Sequence, residues 1–202
     1  MATTTALTTT TRTRLLSSDL LVRGGIGGMV AGAVMAMMAM IASVTYQHHG
    51  LFTPLFHISA LFGSPDSMMR SVAEAISGHR VWFTAAPAAA GLLIHMVTGA
   101  LFGIAFVTLT RRVRVPAHVM TGAGYGLVVF AFSAFVGLPL AAAVTGSGAT
   151  ISDMASMVGW VTFAAEHVMF GAVVGLLAGR TIALQAGSGD AVGGAGAAKL
   201  SR

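Results

Sequence analysis

Two apolar stretches of the chain carry the same spaced residues, a histidine followed at four-residue steps by two glycines: His95–Gly99–Gly103 and His167–Gly171–Gly175. In the second copy Glu166 directly precedes the histidine. An imidazole can ligate a metal, make one hydrogen bond at each ring nitrogen, or pass a proton. A neighbouring carboxyl can pair with it or hold a cation. Inside an apolar helix such side chains are costly, so they are turned inward, paired or put to use. His95, Glu166 and His167 therefore form the candidate site. Cysteine is absent, which excludes disulfides, thiolate metal sites and Cys nucleophiles. The run Gly24-Gly25-Ile26-Gly27-Gly28 matches a phosphate loop in composition only. It lacks the Lys-Ser/Thr ending and the preceding strand that a P-loop requires. No catalytic motif is present, so the chain is read as a non-enzyme.

Equal depth decides which pairings are open to the two histidines. Each lies about nine residues inside its apolar stretch, or roughly 13 Å deep at ~1.5 Å per residue. Two imidazoles at one depth on facing helices can ligate a b-type haem. The plainer reading is a polar lock, with each histidine hydrogen-bonded to a neighbouring helix and Glu166 paired to an imidazole. Glu166 and His167 point about 100° apart around a helix, so both can still line one broad cavity. A copper site would draw on other residues. His48, His49 and His57 precede the second stretch, and thioethers suit Cu(I). However, Met35, Met37, Met38 and Met40 crowd too closely for one helix face, and methionine is a ready gap filler. His79 and His118 fall at predicted helix ends, where spacing gives them no role.

The elements that must position these residues follow from composition. The chain has 202 residues, 55% hydrophobic and only 8% charged, against roughly 25% charged in a soluble domain. So few charges cannot cover a soluble surface, and the remainder must face lipid. The net charge of +5 is scattered at helix ends. It forms no stripe of the kind that binds nucleic acid, so none is expected as a partner. Four apolar stretches, near 24–46, 86–110, 116–141 and 158–180, are each long enough to cross a core of about 30 Å as a helix. An all-α polytopic fold follows, with a transmembrane domain over 23–181 between disordered tails at 1–22 and 182–202. Arg12, Arg14 and Arg23 precede the first stretch. Arg111, Arg112 and Arg114 separate the second from the third, and Arg180 and Lys199 follow the fourth. The positive-inside rule then places both termini in the cytoplasm. Tyr46, Trp82 and Trp160 fall at the opposite, outer interface.

The first outer loop has structure of its own. Ser64-Pro65-Asp66 reads as a helix start and Gly78 as a stop. Met68, Met69, Val72 and Ile76 recur between them at helical spacing. The apolar stretch before it, from Leu51 to Phe62, lies in the interface or dips back as a cap. Pro139 is expected to kink or finish the third span.

Each span also has a ladder of glycines four apart: Gly24, Gly28 and Gly32; Gly99 and Gly103; Gly122 and Gly126; Gly171, Gly175 and Gly179. Such ladders let helix backbones approach closely in lipid. On the predicted topology all four lie toward the cytoplasmic half, which leaves the outer half wider. The matching motifs in spans two and four suggest two duplicated helical hairpins, and spare glycine faces suit a homodimer or a membrane partner.

Span four (AAEHVMFGAVVGLLAG) and span two (GLLIHMVTGALFGIAF) resemble a pattern in small, uncharacterised bacterial four-helix inner-membrane proteins. Those carry His-x3-Gly-x3-Gly, often with an aromatic before the first glycine, as Phe170 is here. The resemblance implies a bacterial inner-membrane location and no particular activity. Taken together, the residues suggest a non-enzymatic accessory or assembly subunit. The alternatives are a bis-histidine haem b or copper electron-transfer protein and a small proton-coupled transporter or channel.

Overall fold

The computed structural model describes residues 18–111 and 113–180 in full. The reading of 1–22 and 182–202 as disordered tails lies outside these residues except at 18–22, which are helical. Among the described residues all regular structure is helical. The elements are α1 (Ala2–Thr45), α2 (Thr53–Ser59), α3 (Asp66–Ile76), α4 (Ala85–Leu109), α5 (His118–Phe132), α6 (Leu138–Thr145), α7 (Ala149–Ser152), α8 (Met154–Val158) and α9 (Trp160–Leu200).

Four stretches are long and apolar enough to cross a membrane: Ser18–Thr45, Ala85–Leu109, Val115–Thr145 and Trp160–Arg180. The third combines α5 and α6 through a π-helical turn, Ser133–Gly137. Pro139 lacks an N–H and crowds the carbonyl four residues back. The wide turn just before it absorbs that misfit, so the helix continues to Thr145. Gly146, at φ +73°, then ends it.

The glycines decide which helices pair. On α1 and α4, a Cβ added at Gly28 would fall on the Gly99 carbonyl and 2.9 Å from Gly103 Cα. One at Gly103 would lie 2.6 Å from Gly28 Cα. On α5 and α9, a Cβ at Gly171 would fall on the Gly122 carbonyl and 2.8 Å from Gly126 Cα. Early glycines of one helix meet late glycines of the other, so both pairs are antiparallel. Backbone touches backbone at both crossings, which side chains would prevent.

The pairs join through α1 against α9. On the opposite side α4 meets α5 through aromatic rings. Phe106 and Tyr125 are 5.2 Å apart, and Tyr125 Oη donates to Phe102 O at 2.8 Å. Ala31, Met35, Phe106, Phe170 and Val174 fill the centre.

A cap covers one end. Helix α2 rests on α4, where a Cβ at Gly91 would strike the Leu55 carbonyl. Phe56 is fully buried, with Trp82 5.5 Å away. Thr53 and Ser71 join α2 to α3 by a 2.8 Å hydroxyl bond. Ser64 Oγ accepts the Asp66 N–H at 3.2 Å at the start of α3. The second loop, which hydropathy leaves blank, folds into α7 and α8. Their Ile151, Met154 and Ala155 pack with Ala60 and Phe163. Tyr46 and Trp160 lie at this capped end, bonded to Thr162 at 2.7 Å and stacked on Phe135 at 5.5 Å respectively.

Candidate functional site

Beneath the cap, where the glycine crossings no longer hold the helices together, lies a cavity of about 190 Å³. Its walls are mostly apolar: Met35, Phe102, Val129, Phe163 and Phe170. His95, Glu166 and His167 all line it, and α2 contributes His57. The three residues singled out by the sequence therefore share one chamber.

Their bonding differs from a simple lock. His95 Nε2 donates to Gly32 O across the α1/α4 crossing at 3.0 Å. His167 Nδ1 donates to Phe163 O, one turn back on its own helix, at 2.7 Å. Facing a carbonyl, each of these nitrogens must carry the proton. Neutral His167 thus keeps Nε2 as an acceptor. Glu166 makes no ion pair with either imidazole. The residue is 4% exposed, and Oε1 has no hydrogen-bond partner. A buried polar atom without a partner is rare and costs about 1–3 kcal/mol. The Glu166–imidazole lock expected from the sequence is not formed, because Glu166 faces apolar walls and not a ring nitrogen.

The histidines do not suit a haem held between them. Nε2 of His95 is already given to a carbonyl, and the chamber falls below the roughly 300–1,000 Å³ of pockets for drug-sized ligands. Nor do His48, His49 and His57 come together as copper ligands. Among the described residues no three His, Asp or Glu side chains gather in metal-binding range. His57 Nε2 is taken by Thr150 O at 2.7 Å. The methionines also diverge. Met35 is buried in the core, whereas Met37 is 56% exposed.

A second cavity, of about 350 Å³, adjoins the first at the capped end and is lined by Ser43, His49, Thr53 and Met68. The two share Gln47, Pro54, His57 and Val158 in their walls. His57 thus stands at the boundary, tied to the second loop, and Gln47 Nε2 donates to Val158 O at 2.8 Å beside it. Burial holds the His57 imidazole below its usual 6.5, outweighing the bond to Thr150 that opposes the shift.

Spacing alone missed His118. It is 1% exposed, donates from Nδ1 to Arg114 O at 3.0 Å, and leaves Nε2 buried without a partner. The available signal was Gly179, a third glycine on α9 that makes room opposite it. A Cβ there would lie 3.3 Å from His118 Cβ.

No protein-family model matches this chain, and no curated protein or solved structure shows significant similarity to it.

Proposed function

We propose that the chain is a four-span protein of a bacterial inner membrane, with both termini cytoplasmic and the cap outside. In this reading it is a non-enzymatic accessory protein that holds one small, mostly apolar molecule beside Glu166. Arg23, Arg111 and Arg180 at one end and Tyr46, Trp82 and Trp160 at the other support the orientation. The observation that carries the ligand is Glu166 Oε1, buried without a partner in an apolar chamber. A ligand with a single donor or positive charge would satisfy it, and the surrounding walls would bind the remainder.

A series of straight-chain alkylamines and the matching alkanes tests this. The amines should raise the melting temperature of the purified full chain, and the alkanes should do so less. Glu166→Gln should remove the difference. Equal effects of amine and alkane, or an unchanged response in the variant, would contradict the proposal.

A proton-coupled carrier or channel is the second reading. It is favoured by the shared wall of the two cavities: His49 lines the outer one, Gln47 and His57 line both, and Glu166 lines the inner one. Proton uptake by vesicles carrying the protein, lost in Glu166→Gln, would promote it.

A further inference from the structure

The end of the bundle opposite the cap lies past the glycine crossings, where backbones meet at Gly28 and Gly99 and at Gly122 and Gly171. There α1, the end of α4 and α9 surround a cleft of about 400 Å³. Arg23, Arg111 and Arg180 line it, one from each helix or its end. Arg23 is paired with Asp19 at 2.8 Å. Arg111 and Arg180 make no ion pair or side-chain hydrogen bond among the described residues. Apart from Thr110 the rest of the wall is apolar, including Leu20, Val107, Val174 and Leu177. Gly24 and Gly27 keep the α1 side free of bulk. Ile26 and Val30 also belong to the wall and are 57% and 45% exposed, so the cleft opens sideways onto the apolar surface of α1.

Unpaired guanidiniums over an apolar trough that opens sideways match one kind of molecule: an anion with a hydrocarbon chain attached. Guanidiniums bind phosphate through parallel N–H bonds, and basic pockets between membrane helices on the cytoplasmic side hold anionic headgroups. A free anion would have no use for the trough, and a neutral lipid would leave two cations unmatched.

We propose that this cleft binds one anionic phospholipid, with its phosphate at Arg111 and Arg180 and one acyl chain along Ile26, Val30 and Leu177. The inference rests on the membrane reading above but is independent of the Glu166 chamber. The lipid would fill the cleft between α1, the end of α4 and α9 and hold them together.

Native mass spectrometry of the full chain in detergent tests it, with dioleoylphosphatidylglycerol compared against dioleoylphosphatidylcholine. The wild type should retain one phosphatidylglycerol in preference. Arg111→Gln/Arg180→Gln should weaken that retention roughly thirtyfold, about fivefold per surface arginine, with helical circular dichroism unchanged. Equal retention of both lipids, or no loss in the double variant, would overturn the proposal. So would displacement of phosphatidylglycerol by millimolar inorganic phosphate, which would mark a free-anion site. Separately, release of the chain from membranes by alkaline carbonate would overturn the membrane reading itself.

Discussion

The α1/α4 and α5/α9 pairs are built on the same plan but carry different residues at equivalent places. Gly28 meets Gly99 in the first pair as Gly122 meets Gly171 in the second. Gly32 lies beside His95 as Gly126 lies on His167. At the next turn toward the arginines they diverge. Gly24 faces Val107 in the first pair, whereas His118 faces Gly179 in the second. The large and small residues have exchanged helices, and the spacing between helices survives. At the other end Ile94 stands where the second pair has Glu166, and both line the chamber. His95 ties its helix to the partner, while His167 bonds only its own helix. The shared features are therefore those that bring the backbones together. Chemistry enters where the pairs differ, chiefly at Glu166.

The largest effect should come from breaking the shared feature. Gly28→Leu and Gly122→Leu should each prevent the compact bundle from forming. The corresponding alanine variants should each cost about 1–3 kcal/mol by overpacking. Thermal melts of both alanine variants should agree; stability lost in one pair alone would refute their equivalence.

The exchanged pair comes next. His118→Gly should cost about 2 kcal/mol or more by opening a hole, and Gly179→Val should destabilise by crowding His118. Together they rebuild the Gly24–Val107 arrangement. The double variant should recover at least about 1 kcal/mol relative to the sum of the singles. Additive losses in a double-mutant cycle would show that the two positions do not compensate.

Glu166 is expected to behave in the opposite sense. Glu166→Met removes the unpartnered oxygen at similar volume and should stabilise the protein by about 1 kcal/mol. Ile94→Glu, which copies the acid into the first pair, should destabilise it. A loss of stability in Glu166→Met would mean that the carboxyl has a structural role after all.

The smallest effect concerns the cap. The His57 imidazole is held below 6.5 by burial, so the unfolded chain takes up a proton before the folded one does. Stability linked to His57 is full above pH 6.5 and declines as pH falls from there toward the lowered value. Hydrogen exchange of the α2 amides should speed up over that window, and His57→Asn should flatten the response.

Hydropathy sufficed for the four long helices because lipid-length apolar runs leave few alternatives. Most of their bounds fall within two residues of those expected; the first span starts earlier, at Ser18, and the third runs on to Thr145, beyond the π turn that accommodates Pro139. Glycine spacing showed that backbones would meet but not which ones. Pairing depends on helix rotation, to which a four-residue repeat is blind. The chamber was legible as three residues at one depth. Its emptiness around Glu166 was not, because a sequence shows a carboxyl and not the absence of its partner. His118 and the arginine cleft were missed for a related reason: both are made by residues of several helices that only the packing brings together.

Carbodiimide labelling tests the central claim most directly. Dicyclohexylcarbodiimide is a small apolar reagent that attacks carboxyl groups from an apolar phase. Applied to membranes carrying the full chain and followed by peptide mass mapping, it should modify Glu166 ahead of the loop acids Asp66, Glu74 and Asp153. Alkylamine should protect Glu166 from it. Modification of the loop acids with Glu166 untouched would mean that no small apolar molecule reaches the chamber.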